Sequence, residues 1–164
     1  MRSEVDAQYR VVALFYEVAF LDSRRRAGLK LTPDEEERLT VLIAALGGDP
    51  GWVRRRFRRR MMMLPAIVKG QGIARATIFN MSPDGMLVAA GLDVSEGDSV
   101  LVKIGRPGAD SAQRSFPCRV VRVERRGDAS LMALALDGIP LEVRYGSYQT
   151  AERPSQPMQI RKTG

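Results

Sequence analysis

Residues 51–91, GWVRRRFRRRMMMLPAIVKGQGIARATIFNMSPDGMLVAAG, decide how the chain is read. They open with six arginines in the seven positions from Arg54 to Arg60, broken only by Phe57. Further on, two apolar runs flank the polar segment Asn80-Met81-Ser82-Pro83-Asp84-Gly85. Guanidinium forks suit phosphate oxygens and the edge of guanine, and a turn of small polar side chains adds hydrogen-bonding partners. The two clusters together hold the ingredients of an anion site. Around them, from Met61 onward, the periodicity is that of strands. Apolar segments at 62–68, 73–79, 86–90, 99–104, 116–123 and 131–136 are separated by glycine-containing turns or polar loops, with no helical pattern between them. That arrangement predicts an antiparallel β-barrel or sandwich of six strands.

The pairing of clusters resembles the PilZ domain, the bacterial receptor module for cyclic di-GMP. Its hallmarks are an RxxxR segment leading into the first strand and a (D/N)xSxxG segment between two later strands. Arg55-Arg56-Phe57-Arg58-Arg59 fits the first and Asn80-Met81-Ser82-Pro83-Asp84-Gly85 fits the second. The registers Arg54/Arg58 and Arg56/Arg60 also satisfy RxxxR. Leu64-Pro65, a few residues beyond Arg59, selects Arg55/Arg59, because the family often places that pair there. The resemblance spans roughly residues 52–140.

The resemblance implies an α+β chain built on a six-stranded antiparallel barrel of the split-barrel type. It also implies a set of roles at the site. Arg55 and Arg59 grip phosphate and guanine, while Asn80 and Ser82 bond a guanine and a nearby phosphate from the barrel surface. Gly85 keeps that surface flat and permits a backbone angle other residues resist. Asn80 replaces the commoner aspartate, retaining an acceptor oxygen but losing the charge that favours the guanine N1 and N2 donors. Arg54 directly before the motif implies that the ligand binds as two intercalated copies. Arg56 is an auxiliary contact, and Arg58 and Arg60 read as solvated charge.

Composition bounds the alternatives. With 164 residues and 45% hydrophobic content, the chain suffices for one domain, or a small domain plus an extension. The net charge of +7, most of it in one cluster, favours an anionic partner without choosing among nucleotide, nucleic acid and lipid. Cys118 is the only cysteine, so it reads as a small buried thiol rather than a disulfide or zinc ligand. The chain has no histidine, which removes the usual general base and the commonest metal ligand, and an enzyme is not expected. Cofactors are not expected either. The apolar run at 11–21 contains Glu17 and falls short of the ~20 residues a membrane span needs. Acidic Glu4 and Asp6 precede it, unlike the basic start of a signal peptide, so a cytoplasmic protein is the simplest expectation.

Residues 1–50 read as a helical hairpin. The first helix, from about 4 to 26, is apolar on more than one side, through Val5, Tyr9, Val12 and Tyr16 and again through Leu14, Val18 and Leu21. The second begins at Thr32-Pro33-Asp34-Glu35, a capping box with proline at the first helical position. Two readings of the hairpin stand side by side: a partner-binding or homodimerising surface, and an extra core layer. Residues 51–60 form an arginine-rich linker in which Trp52 is an anchor, 61–141 the barrel, and 142–164 a polar tail expected to be disordered. The Met61-Met62-Met63 run reads as core filling. The function expected is a receptor that changes conformation on binding cyclic di-GMP and relays this to a protein partner. A barrel that binds only protein, and a nucleic-acid binder using the arginines on phosphates, are the alternatives.

Overall fold

Side chains that alternate in and out close the strands between Arg60 and Leu136 into a barrel. The computed structural model describes residues 2–47, 56–106 and 112–144. The strands are β1 (Arg60–Lys69), β2 (Ile73–Ser82), β3 (Gly85–Ala90), β4 (Ser99–Gly105), β5 (Ala112–Arg126) and β6 (Ala129–Leu136). They pair antiparallel in the order β4-β1-β2-β3-β6-β5, and β5 returns to β4, so the expected six-stranded barrel is closed. Closure leaves none of the six with an unpaired edge along its whole length. Leu64, Val68, Ile78, Val88, Val102 and Met132 are fully buried inside. Cys118 joins them at 2% exposure, as expected of a small buried thiol.

The pleat corrects the reading of the methionine run. Only Met62 enters the core, at 7% exposure, while Met61 and Met63 stand 81% and 64% exposed. A period of two cannot bury three consecutive side chains. The six-residue turn at 80–85 is also shorter than expected. β2 runs through Ser82 and β3 starts at Gly85, with Ser82 paired to Gly85 across the two-residue loop Pro83-Asp84.

β5 is longer than expected at both ends, and its N-terminal part carries a further short strand. Residues 142–144, assigned to the tail, belong to β7 (Leu141–Arg144), which pairs with residues 112–115 of β5. Charge supports this pairing as well as backbone, through Glu142, which within β7 accepts from Arg144 Nε at 2.7 Å. Arg114 Nε lies 2.9 Å from Glu142 Oε2, a charge contact rather than an aligned hydrogen bond. The rest of the expected tail, 145–164, lies outside the described residues.

The helices are α1 (Arg2–Arg26) and α2 (Pro33–Ala45). The capping box forms as read: Glu35 N donates to Thr32 Oγ1, and the Thr32 amide donates to the Glu35 carboxylate at 2.9 Å. α1 is buried on two sides, as its sequence demands. Val12, Phe15 and Ala19 join the barrel core, and Tyr9 Oη donates to Gly105 O at 3.3 Å. Val18 and Leu21 instead meet Leu39 and Leu42 of α2 in a second cluster. α1 is therefore a core layer on the barrel, and α2 packs on α1. Among the described residues no helix is long and apolar enough to cross a membrane.

Candidate functional site

The β1–β2 register brings the arginine segment onto the polar hairpin. Arg60 pairs with Met81 and Met61 with Asn80, so Arg59 enters beside the β2–β3 loop. A bulge between Ile78 and Asn80 in β2 interrupts the pleat, leaving both Phe79 and Asn80 half-buried before Met81 turns inward. Arg59 Nη1 then lies 3.4 Å from Asn80 Oδ1, which accepts its hydrogen bond. The other terminal nitrogen of Arg59 passes over Gly85, 3.4 Å from where a Cβ there would stand. Two segments about twenty residues apart in sequence thus meet through one side chain.

Gly85 is required for a different reason from the one expected. Its φ is not in the left-handed region, so a special backbone angle is not the cause. A Cβ at this position would lie 2.7 Å from the carbonyl oxygen of Leu134, on the neighbouring strand. The glycine permits close approach of β3 to β6, and it leaves room for Arg59 above.

Ser82 also sits differently. It is 2% exposed, and its hydroxyl donates to Asp84 Oδ1 at 2.6 Å, with Gly85 O 3.3 Å away. In this structure the hydroxyl fastens the hairpin loop rather than facing outward. The loop is further tied to β6 by Leu136 N, which donates to Asp84 O at 2.9 Å.

Arg56 points away from Arg59, to the helices. Its two terminal nitrogens bond both oxygens of Asp22, at 2.6 and 2.9 Å. Asp22 is 7% exposed at the end of α1 and also meets Arg25 and Arg26. The neighbouring Phe57 is buried among Val18, Leu21, Leu39 and Leu42. These two residues moor the arginine segment to the hairpin. Asp22 carried no mark in sequence, since an acidic residue late in a helix looks like one more surface charge. Arg58 and Arg60 are exposed, in keeping with solvated charge. Arg54, Arg55 and Trp52 lie outside the described residues.

Arg59 and Gly85 form one side of an open cleft of about 460 Å³. Glu96, Val121 and Arg122 form the other side, and Ala133 and Ala135 its floor. Neither motif contains these residues, and a charge on an exposed strand position gave no signal of its own.

Two helices on a closed antiparallel barrel, with an arginine over its β2–β3 hairpin, define an α+β split-barrel module. The PilZ domain model matches residues 53–145, more than half of the chain, and the chain belongs to that family. The match takes in β7 as well as the barrel. No curated protein shows a significant match to the chain.

Proposed function

We propose that this chain is a cyclic di-GMP receptor whose ligand lies in the cleft beside Arg59. The observation that carries the reading is the meeting of both family motifs at Arg59, which touches Asn80 and covers Gly85. Arg59 offers a fork for phosphate or the O6 and N7 edge of guanine. Asn80 presents its amide beside it, and Ser82 acts by fixing the loop on which Asn80 and Gly85 depend. Arg54 and Arg55 supply further guanidinium groups, and Arg54 favours two intercalated copies of the ligand. Arg56 is held by Asp22 and serves the relay.

The relay follows from the mooring. Arg56 and Phe57 are attached to the hairpin, and Arg59, two residues on, is attached to the site. Closure of the segment on a ligand pulls on α1 and α2 and changes the surface they offer to a protein partner or to a second copy. Hydrogen exchange at residues 56–60 slows on saturation if this is right, and stays unchanged if it is not.

The composition of the cleft favours a nucleotide over a nucleic-acid backbone. Its lining carries two guanidinium groups and two carboxylates, Asp84 and Glu96, and the carboxylates repel a long phosphodiester backbone. Calorimetric titration with cyclic di-GMP, against GTP and cyclic di-AMP, tests the reading. Selective binding with a stoichiometry near two is expected. Binding without guanine selectivity, steeply weakened by salt, supports the nucleic-acid alternative, and no heat with any nucleotide supports a protein-only adaptor.

A further inference from the structure

The cleft beside Arg59 has a second wall built by a bulge and a stitched turn. In β5, Val120 opposes Leu134 and Arg122 opposes Ala133, so Val121 is an extra residue. Val121 and Arg122 are consequently both exposed, where a regular pleat turns one of them inward. The 94–98 turn is tied to the same point. Gly97 N donates to Val120 O at 2.7 Å, and Val120 N donates to Asp98 O at 2.9 Å. This brings Glu96 to the cleft on the same side as Arg122. Between that wall and Arg59, the floor consists of Ala133 and Ala135, with Ala135 directly opposed to Gly85 across β6 and β3. Nothing longer than a methyl rises from those two positions, so a planar ring has a flat surface to lie on.

The chemistry of the wall complements what the motifs lack. Asn80 directs its oxygen at Arg59 and carries no charge. Asp84 Oδ1 already accepts the Ser82 hydroxyl. Glu96 is the remaining carboxylate in the lining. A carboxylate has two oxygens spaced to accept from the N1 and N2 donors on one edge of guanine, and an arginine fork fits a phosphate. We infer that Glu96 and Arg122 form the guanine-reading wall of the site. Glu96 accepts from N1 and N2 of a guanine lying on the Ala133 and Ala135 floor, and Arg122 holds the adjoining phosphate. This inference rests on the cyclic di-GMP reading above.

The test titrates two nucleotides into the full chain and into Glu96→Ala and Arg122→Ala. They are cyclic di-GMP and cyclic di-inosine monophosphate, whose hypoxanthine lacks the N2 amine. Both positions are exposed, and an unchanged melting temperature verifies that each variant is folded. The unaltered chain is expected to prefer cyclic di-GMP by about tenfold or more, the scale of one good base contact. Glu96→Ala loses that preference, whereas Arg122→Ala weakens both nucleotides by about tenfold and keeps it. Selective binding by the unaltered chain, with either variant behaving like it, overturns the proposed wall and leaves the receptor reading intact. No binding of cyclic di-GMP by the unaltered chain overturns both.

Discussion

Gly85 touches both of the requirements that meet at the site. Its missing side chain lets β3 approach β6 and leaves space beneath Arg59. The obstruction to a Cβ is the backbone carbonyl of Leu134, which cannot rotate away as a flexible side chain can. Gly85→Ala is therefore expected to destabilise the fold by about 1–3 kcal/mol, measured by chemical denaturation, and to weaken cyclic di-GMP binding by displacing Arg59. A variant as stable as the parent contradicts the steric argument. Sequence located this residue through its place in the SxxG pattern but not its cause, because strand-to-strand distance leaves no mark in a motif. Ser82 is the parallel case. Its type and position were legible, whereas the direction of its hydroxyl depends on Asp84, two residues on.

Elements divide according to how local their signals are. The capping box of α2 was legible to the residue, since proline, threonine and glutamate act within one turn. The barrel strands were legible as apolar segments between turns, apart from the register shifts in β1, β2 and β5, which depend on partner strands. β7 was not legible. Its four residues carry no buried large side chain, with Leu141 and Val143 63% and 48% exposed, and its stability comes from pairing and from Glu142.

That charge has a consequence at low pH. Burial acts to raise the Glu142 carboxyl, but the Arg144 hydrogen bond and the Arg114 charge outweigh it and hold the group below its ordinary value. A carboxylate lowered by folding contributes stability that is present above its ordinary pKa and lost as pH falls through the folded value. Melting temperature should therefore fall more steeply from about pH 5 to pH 3 in the parent chain than in Glu142→Gln. Parallel curves exclude this role for Glu142.

Phe57 is 2% exposed in the hairpin cluster. Phe57→Ala should cost about 3 kcal/mol or more of stability, seen as a lower denaturation midpoint. A smaller loss means the hairpin holds together without the linker.

At the scale of the whole molecule, two cores share one helix. α1 belongs to the barrel core on one side and to the hairpin core on the other. The linker places Phe57 in the hairpin core, Arg56 on Asp22 and Arg59 on the barrel. Helix pattern alone left the hairpin's role open, because a helix apolar on several sides serves equally for a core layer or an interface. Packing against the barrel supplies the burial that the pattern demanded. The same arrangement joins Arg59 to α1 and α2 through three neighbouring residues.

The most direct test of the account is a map of backbone amide chemical shifts as cyclic di-GMP is added to the isotopically labelled chain. Saturable shifts are expected at residues 56–60, 80–85, 94–98, 120–122 and 133–135, with smaller ones around Asp22. No shifts at saturating nucleotide, or shifts confined to other faces of the barrel, contradict the claim that cyclic di-GMP binds in the cleft beside Arg59.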